Sequence, residues 1–237
     1  MLNITPRFGK SLWIEVLRRF STIGYYILSE LRKSAHTWEE KYMEIDKKVM
    51  MSEIGGAFVV SWLVLGSMGS DGLMAGLVLA AAMTAMAGAH ILPMFTWMTI
   101  MTGDMQDQDN WMNNGMRLIA QVIGAAAAIL MMTEGGEIET GYAAGDMWSF
   151  DLWPMVTMLA AGAIIGTIHS RCDAWMTAIA IVMAAGALGM GVGGAHDMAS
   201  NLLSGGDDIV NSASTWVVDG LVVGLGAMIA GKIDENL

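Results

Sequence analysis

The hydrophobic positions of this chain form long, nearly uninterrupted runs that follow a more polar first quarter. A helix needs about 20 largely apolar residues to cross the hydrocarbon core of a bilayer. Six runs have this character and are predicted to be membrane spans: 54–68, 73–89, 116–132, 152–168, 174–192 and 215–230. Two shorter apolar pieces, residues 92–101 and about ten residues after His196, cannot span alone, and pieces of that length are often re-entrant half-helices.

The order of long and short runs predicts an internal repeat. Two spans, a short piece and a span are followed by the same series again, as in the inverted repeats of membrane transport proteins. Gly88-Ala89-His90 precedes the first short piece and Gly194-Ala195-His196 precedes the second. The predicted fold is therefore an all-α membrane protein, with six transmembrane helices and two re-entrant half-helices arranged as an inverted repeat over residues 51–237.

The basic residues predict the orientation of the spans. Charged residues make up 15% of the chain, against about 25% in soluble domains. Nine of the twelve Lys and Arg lie in residues 1–50, and the others are Arg117, Arg171 and Lys232. If residues 1–50 are cytoplasmic and six spans follow, these three residues also face the cytoplasm, as the positive-inside rule requires. We therefore expect an integral protein of the cell membrane with both termini cytoplasmic.

Residues 1–50 are predicted to be a separate cytoplasmic segment. Apolar side chains recur there at helical spacing, with Arg18 and Arg19 beside them; the apolar positions are Leu12, Val16, Phe20, Ile23 and Ile27. One interpretation is an amphipathic helix lying on anionic lipid. The other is a helix packed beneath the membrane domain or against a neighbouring subunit.

Composition and motifs argue against several classes of function. The net charge of −11 would argue against nucleic acid as a partner of a soluble protein, but here it mostly reflects acidic loops. We expect no nucleic-acid partner. Cys172 is the only cysteine, so no intramolecular disulfide forms. The chain has no nucleophile with a paired base, no glycine loop between a strand and a helix, and no His/Cys cluster at metal-binding spacing. We therefore expect no enzymatic activity, no cofactor and no metal.

Three stretches resemble the aquaporins and glycerol facilitators. Residues 87–96, Ala-Gly-Ala-His-Ile-Leu-Pro-Met-Phe-Thr, are similar to the family's first re-entrant motif, Ser-Gly-Ala-His-x-Asn-Pro-Ala-Val-Thr. Residues 118–125 resemble the Ile-Ala-Gln-x-Leu-Gly-Ala of the third span, and residues 53–58 resemble the Glu-Phe-Leu-Gly-Thr-Phe opening of the first. With a weaker match at 216–224, the resemblance extends over about residues 52–233.

The departures from the family fall on the residues that line its pore. In the first motif Leu92 replaces asparagine, while Pro93 is retained. The second motif fits two registers. In the first register, residues 193–200, Asp197 replaces asparagine, Met198 replaces proline, Ala199 is retained and Ser200 replaces the selectivity arginine. In the other, Met198 takes the asparagine position and Asn201 the arginine position.

The resemblance implies roles for individual residues. The implied pore-lining set is His90, Leu92, Pro93, Met94, Asp197, Met198, Ala199 and Ser200, with Asn201 and His196 as further candidates for the pore or its filter. Glu53 and Gln121 are implied to brace the structure. Asp197 has two interpretations, a carboxylate in the pore or an N-cap of the second half-helix.

The resemblance implies a passive channel for water or other small neutral solutes. Each subunit of a homotetramer in membrane lipid would form one pore, with selectivity altered by the replaced motifs. Two alternatives stay open. The first is a non-conducting structural membrane protein of the same fold, closed by dewetting at Leu92, Met94 and Met198. The second is a cation- or proton-tolerant pore through Asp197 and the two histidines.

Overall fold

The computed structural model describes residues 46–67, 72–134, 150–188, 194–204 and 209–236. Within these ranges the chain is helical, without strands. The helices are α1 Lys47–Val59, which continues as a π-helical stretch Val60–Ser67, then α2 Gly72–Ala85, α3 Pro93–Thr102, α4 Gln108–Met132, α5 Leu152–Arg171, α6 Ala174–Leu188, α7 Gly194–Leu203 and α8 Ile209–Asp234. The predicted cytoplasmic segment 1–50 lies outside the described residues except at 46–50.

Four helices in the described part of the chain are long and apolar enough to cross a membrane. They are α1 with its extension (Lys47–Gly66, 20 residues), α4 (25 residues), α5 (20 residues) and α8 (26 residues). Helices α2 and α6 are also apolar, but they are shorter, with 14 and 15 residues respectively. The described part of the chain is therefore that of an all-helical membrane protein with four helices long and apolar enough to span, and two of the six predicted spans correspond to shorter helices.

Local chemistry explains where the helices begin. Pro93 opens α3, where a missing N–H is not a loss and the fixed φ suits a helix. The Asp107 carboxylate accepts a hydrogen bond from the Asp109 N–H and caps α4, and Asp151 does the same for the Trp153 N–H at the start of α5. Helix α3 ends at Thr102, where the Gly103 N–H donates to the Thr99 carbonyl oxygen.

Glycines allow two helix pairs to pack backbone against backbone. A Cβ added at Gly124 of α4 would lie 2.2 Å from the Ile54 carbonyl oxygen of α1. In the second half of the chain, a Cβ added at Gly162 of α5 would lie 2.0 Å from the Val223 carbonyl oxygen of α8. In lipid, where van der Waals packing drives association, such close approach stabilises helix pairs.

The packing of the helices repeats in the two halves of the chain. Helix α1 packs against α4 as α5 packs against α8, and the short helix α3 packs against α8 as the short helix α7 packs against α4. Helices α2 and α6 pack against each other. Helices α1, α2, α3 and α4 thus correspond to α5, α6, α7 and α8, and each of these contacts in one half has its counterpart in the other. The repeated order of long and short runs predicts this correspondence.

The side chains separate into a buried core and an apolar exterior. One core cluster contains Leu79, Leu92, Phe95, Ile165 and Ile181, from α2, α3, α5, α6 and the segment before α3. Large apolar side chains are also exposed along the helices, among them Leu73, Ile123, Trp153, Ile164 and Met183. A soluble protein rarely exposes so much apolar surface, whereas a surface in contact with lipid requires it.

Candidate functional site

The two short helices begin at the same place. Pro93 is the first residue of α3 and Gly194 is the first residue of α7. A Cβ added at Gly194 would lie 3.9 Å from Cγ of Pro93, so the two helix starts are in near contact. The N-terminus of a helix carries a partial positive charge from its unpaired N–H groups. Two such ends therefore converge at this point, which is called here the junction.

One cavity beside the junction, among the described residues, is small. It has a volume of about 10 Å³ and is lined by Ala57, Val60, Ser61 and Leu65 of the first helix and by Ile91, Leu92, Pro93, Ala195 and His196. A single water molecule needs about 10–15 Å³ by this kind of measure. Most of the lining is apolar, and the Leu92 side chain is 3% exposed. The space thus holds about one water molecule, next to an apolar side chain where the family resemblance implies asparagine.

Glu53 is the centre of a buried hydrogen-bond network that holds residues 88–91, the segment leading into α3. Its carboxylate is fully buried and accepts four hydrogen bonds. Oε1 accepts from the His90 N–H at 2.7 Å and from Arg117 Nη1 at 2.9 Å. Oε2 accepts from the Ile91 N–H at 2.8 Å and from Gln121 Nε2 at 2.8 Å. Each carboxylate oxygen accepts two hydrogen bonds, and these bonds offset the cost of removing the charge from water.

This network holds an unusual backbone conformation. Ile91 has φ of 55°, in the left-handed region that a β-branched side chain rarely adopts. Such a conformation costs about 1–3 kcal/mol and persists only where the surroundings impose it. Here the Glu53 carboxylate binds the N–H groups of His90 and Ile91, and Arg117 Nη1 also donates to the Gly88 carbonyl oxygen at 3.1 Å. Glu53 and Arg117 together fix the chain that enters α3.

The network continues through Gln121 and Thr96 to His90. Gln121 donates both amide hydrogens from Nε2, one to Glu53 and one to Thr96 Oγ1 at 3.0 Å. Since a carboxylate only accepts, the amide nitrogen must be the atom that faces Glu53. Thr96 Oγ1 accepts from Gln121 and lies 3.1 Å from His90 Nδ1, to which we assign its own hydrogen as the donor.

The same bonds determine the tautomer of His90. Thr99 Oγ1 lies 3.3 Å from His90 Nε2 and donates its hydrogen to the Phe95 carbonyl oxygen at 2.9 Å. Because a hydroxyl has one hydrogen, Thr99 must accept from His90. His90 is therefore neutral, with its proton on Nε2 and an acceptor at Nδ1. Its ring is thus bound on both sides to α3, and the residue does not line the 10 Å³ cavity.

The second motif is arranged differently from the first. Helix α7 begins at Gly194, so Asp197 lies in its first turn rather than at the N-cap. The N-cap interpretation of Asp197 is therefore wrong, because Asp197 is the fourth residue of α7. The carboxylate still lies near the positive end of α7.

The other candidates of the second motif separate in the structure. His196 lines the 10 Å³ cavity together with Leu92 and Pro93. Ala199 is fully buried and packs in a cluster with Ala125 and Ile129 of α4. Asn201 Nδ2 donates to Ser212 Oγ of α8 at 2.6 Å.

The remaining side chains of the set differ in burial. Ser200 is 8% exposed, Met198 is half-buried, and Met94 packs at the margin of the core cluster. Of the implied pore set, the structure thus brings Leu92, Pro93 and His196 together around one space.

Two residues of this site were not singled out from the sequence. Arg117 was used only to predict the orientation of the spans, and Thr96 was named only as part of the motif at residues 87–96. A basic residue near a predicted span, at helical spacing from Gln121, was the available signal for Arg117. Nothing in the sequence alone indicated that Thr96 connects Gln121 with His90.

Comparison with known proteins assigns no family. No protein-family model matches the chain, and no curated protein matches it in sequence. Within the described residues, no group of three or more His, Cys, Asp or Glu side chains is placed to hold a metal ion. The class of protein therefore rests on the fold of the described residues, which is that of an all-helical membrane protein. Two of its short helices begin next to each other.

Proposed function

We propose that this protein is an aquaporin-like channel for the passive passage of water or other small neutral solutes, with one pore in each subunit of a homotetramer. The observation that carries the proposal is the near contact of Pro93 and Gly194 at the starts of two ten-residue helices. A ten-residue helix extends for about 15 Å, half the hydrocarbon thickness, so two such helices meeting at their starts divide the bilayer between them.

The repeated packing supports six crossings. Helices α2 and α6 are apolar throughout and pack against each other between the two halves. They take the second and fifth positions of a pattern in which α1, α4, α5 and α8 have full length. In this proposal α3 and α7 are re-entrant, and the two halves are related as an inverted repeat.

The positions of the basic residues support cytoplasmic termini. Arg171 pairs with Asp234, which joins the ends of α5 and α8, and Lys232 lies two residues before Asp234. Asn110, near the start of α4, donates to the Ile100 carbonyl oxygen near the end of α3 at 3.1 Å. A cavity joins the ends of α3, α5 and α8. These helix ends lie together, and two of them carry Arg171 and Lys232. The positive-inside rule assigns that end to the cytoplasm.

The chemistry of the junction favours neutral solutes over ions. Two partial positive charges meet there and oppose a cation. Leu92 presents no group that could replace the water lost by an ion, so entry of a charge would be unfavourable. Asp197 partly offsets the positive end of α7, and for this reason proton and cation leak must be measured alongside water.

One observation favours a second candidate, a non-conducting structural protein of the same fold. The cavity beside the junction holds about 10 Å³, and its apolar lining disfavours a continuous file of water. On this alternative the predicted cytoplasmic segment 1–50 would be the part that acts on partners.

Stopped-flow shrinkage of proteoliposomes tests the proposal. Vesicles containing the purified full-length protein should change volume faster than protein-free vesicles of the same size, without a matching rise in proton or potassium leak. Equal rates with and without protein would exclude the channel and favour the structural candidate. A leak of potassium or protons that disappears in Asp197→Asn would instead favour a cation or proton pathway.

A further inference from the structure

A second, larger cavity lies at the end of the molecule where α3, α5 and α8 finish. It has a volume of about 260 Å³ and is called here the terminal cavity. Its polar lining comes from Thr99 and Thr102 of α3, Thr167, His169 and Ser170 of α5, and Asp234 of α8. Since a water molecule occupies about 30 Å³ in the liquid, the terminal cavity has room for a small ion with several waters.

The hydroxyl groups of the terminal cavity face it as acceptors. Each donates its single hydrogen to a carbonyl oxygen of its own helix: Thr99 to Phe95 at 2.9 Å, Thr102 to Met98 at 2.8 Å, Thr167 to Ala163 at 2.8 Å and Ser170 to Thr167 at 2.9 Å. A hydroxyl that has donated its hydrogen offers only oxygen lone pairs to anything else. Four hydroxyl oxygens on two helices thus offer lone pairs that can accept hydrogen bonds or coordinate a cation. One lone pair of Thr99 is already used, because Thr99 Oγ1 accepts from His90 Nε2.

The helix ends around the terminal cavity also favour a cation. Helices α3, α5 and α8 all end around it, at Thr102, Arg171 and Asp234. The C-terminus of a helix carries a partial negative charge from unpaired carbonyl groups. The Asp234 carboxylate, which pairs with Arg171 through Oδ1, also belongs to the lining.

The basic side chains near the terminal cavity are held in ion pairs. Arg171 pairs with Asp234, and Lys232 Nζ binds Glu235 Oε2 at 2.7 Å. Asp173 adds another carboxylate to this end of the molecule, so that residues 166–174 and 227–236 hold three carboxylates and two basic side chains. The charge balance is therefore negative before the helix ends are considered.

We propose that the terminal cavity is a binding site for a small monovalent cation, such as potassium or ammonium, with the Asp234 carboxylate and the hydroxyl oxygens of Thr99, Thr102, Thr167 and Ser170 as its ligands. Hydroxyl oxygens and a single carboxylate suit a weakly hydrated monovalent ion. A divalent ion such as Ca²⁺ prefers several carboxylates. The proposal concerns binding at one end of the protein and does not require that any ion crosses the junction.

Two measurements on the full-length protein in detergent test this binding. The first is equilibrium binding of radioactive rubidium ion, a potassium analogue, with choline as the competitor of equal charge. The second is the thermal unfolding midpoint in potassium, ammonium or choline chloride at one ionic strength. We expect rubidium to bind at millimolar concentration, to be displaced by potassium and ammonium but not by choline, and the midpoint to rise in the two small cations.

Variants separate a ligand role of Asp234 from its ion pair with Arg171. Asp234→Asn should weaken rubidium binding about tenfold, whereas Arg171→Gln should leave it unchanged or strengthen it, because the carboxylate stays and a competing cation leaves. Thr167→Val, which keeps the shape and removes one oxygen, should weaken it several-fold. Absence of rubidium binding by the wild type, or equal losses in Asp234→Asn and Arg171→Gln, would overturn the proposal. Vesicle shrinkage tests the channel separately, so failure of one proposal does not imply failure of the other.

Discussion

Glu53 and Arg117 form an ion pair at 2.9 Å between residues 64 positions apart, and the glutamate side chain is completely buried. The pair joins α1 to α4, the helices that also approach backbone to backbone at Gly124. Through the N–H groups of His90 and Ile91, the same carboxylate fixes the segment that leads into α3. One acidic side chain thus connects the close packing of two long helices with the position of the junction.

Replacing Glu53 with glutamine should destabilise the protein strongly. The amide would leave Arg117 without a counter-charge. Its NH₂ group would also face N–H groups that donate to the carboxylate in the wild type. Removing one partner of a buried ion pair costs about 3–5 kcal/mol. Thermal or denaturant unfolding of the purified protein in detergent measures this loss.

The control for Glu53 is the same substitution in an exposed ion pair. Glu235 binds Lys232 with both side chains more than 60% exposed, and such pairs contribute about 0–1 kcal/mol. Glu235→Gln should therefore unfold almost as the wild type does. If Glu53→Gln were no less stable than Glu235→Gln, the central position of Glu53 in the network would be wrong.

The sequence predicts the helices better than their mutual contacts. Pro93 indicates the start of α3, because proline fits the first turn of a helix. Apolar runs indicate the other helices, since burial in lipid leaves few alternatives for a polar backbone. For Glu53 only the family resemblance predicted a brace, because nothing local relates it to residues 37 and 64 positions away.

Asp197 illustrates why the second motif was harder to predict. Aspartate is a favourable N-cap, so a helix starting at Met198 was a reasonable expectation. Helix α7 instead starts at Gly194, where a residue without a Cβ lets the chain approach Pro93 and Trp216. The contacts of Gly194 join residues far apart in the chain, so they cannot be read from the local sequence as the capping preference of aspartate can.

Thr96 provides a test of the hydrogen-bond order between Gln121 and His90. Thr96→Val keeps the shape of the fully buried side chain and removes its oxygen. A Gln121 N–H and the Nδ1 atom of His90 would then lack partners, which should cost about 1–3 kcal/mol of unfolding free energy. In the wild type, nitrogen NMR of labelled histidine should show His90 as the Nε2–H tautomer, and in the variant this preference should weaken.

Thr84→Val is the matched control for Thr96, because Thr84 is exposed and its hydroxyl donates only to the Ala80 carbonyl oxygen of its own helix. We expect a small change in stability and an unchanged histidine spectrum. A wild-type His90 with its proton on Nδ1 would contradict the assigned direction of the network.

Gly124 tests the close packing of α1 against α4. Gly124→Ala would place a Cβ 2.2 Å from the Ile54 carbonyl oxygen, so the two helices must move apart. Overpacking of this kind costs about 1–3 kcal/mol. Gly115 lies on the same helix with open space around it, and alanine there should be neutral or stabilise by about 0.5–1 kcal/mol, because glycine is a poor helix former. Equal effects of the two substitutions on the unfolding midpoint would argue against backbone contact at Gly124.

Leu92 tests whether the junction limits the passage of water. Leu92→Asn would replace an apolar side chain beside the 10 Å³ cavity by a shorter polar one that can bind water. Because apolar constrictions exclude water by dewetting, we expect the water permeability of proteoliposomes to rise several-fold over the wild type. Leu152→Asn makes the same change at a residue that is 77% exposed at the start of α5, and it should leave the permeability unaltered. If the wild type already conducts water and Leu92→Asn, at matched protein density, conducts no faster, the narrowest point of the pathway must lie elsewhere than at Leu92.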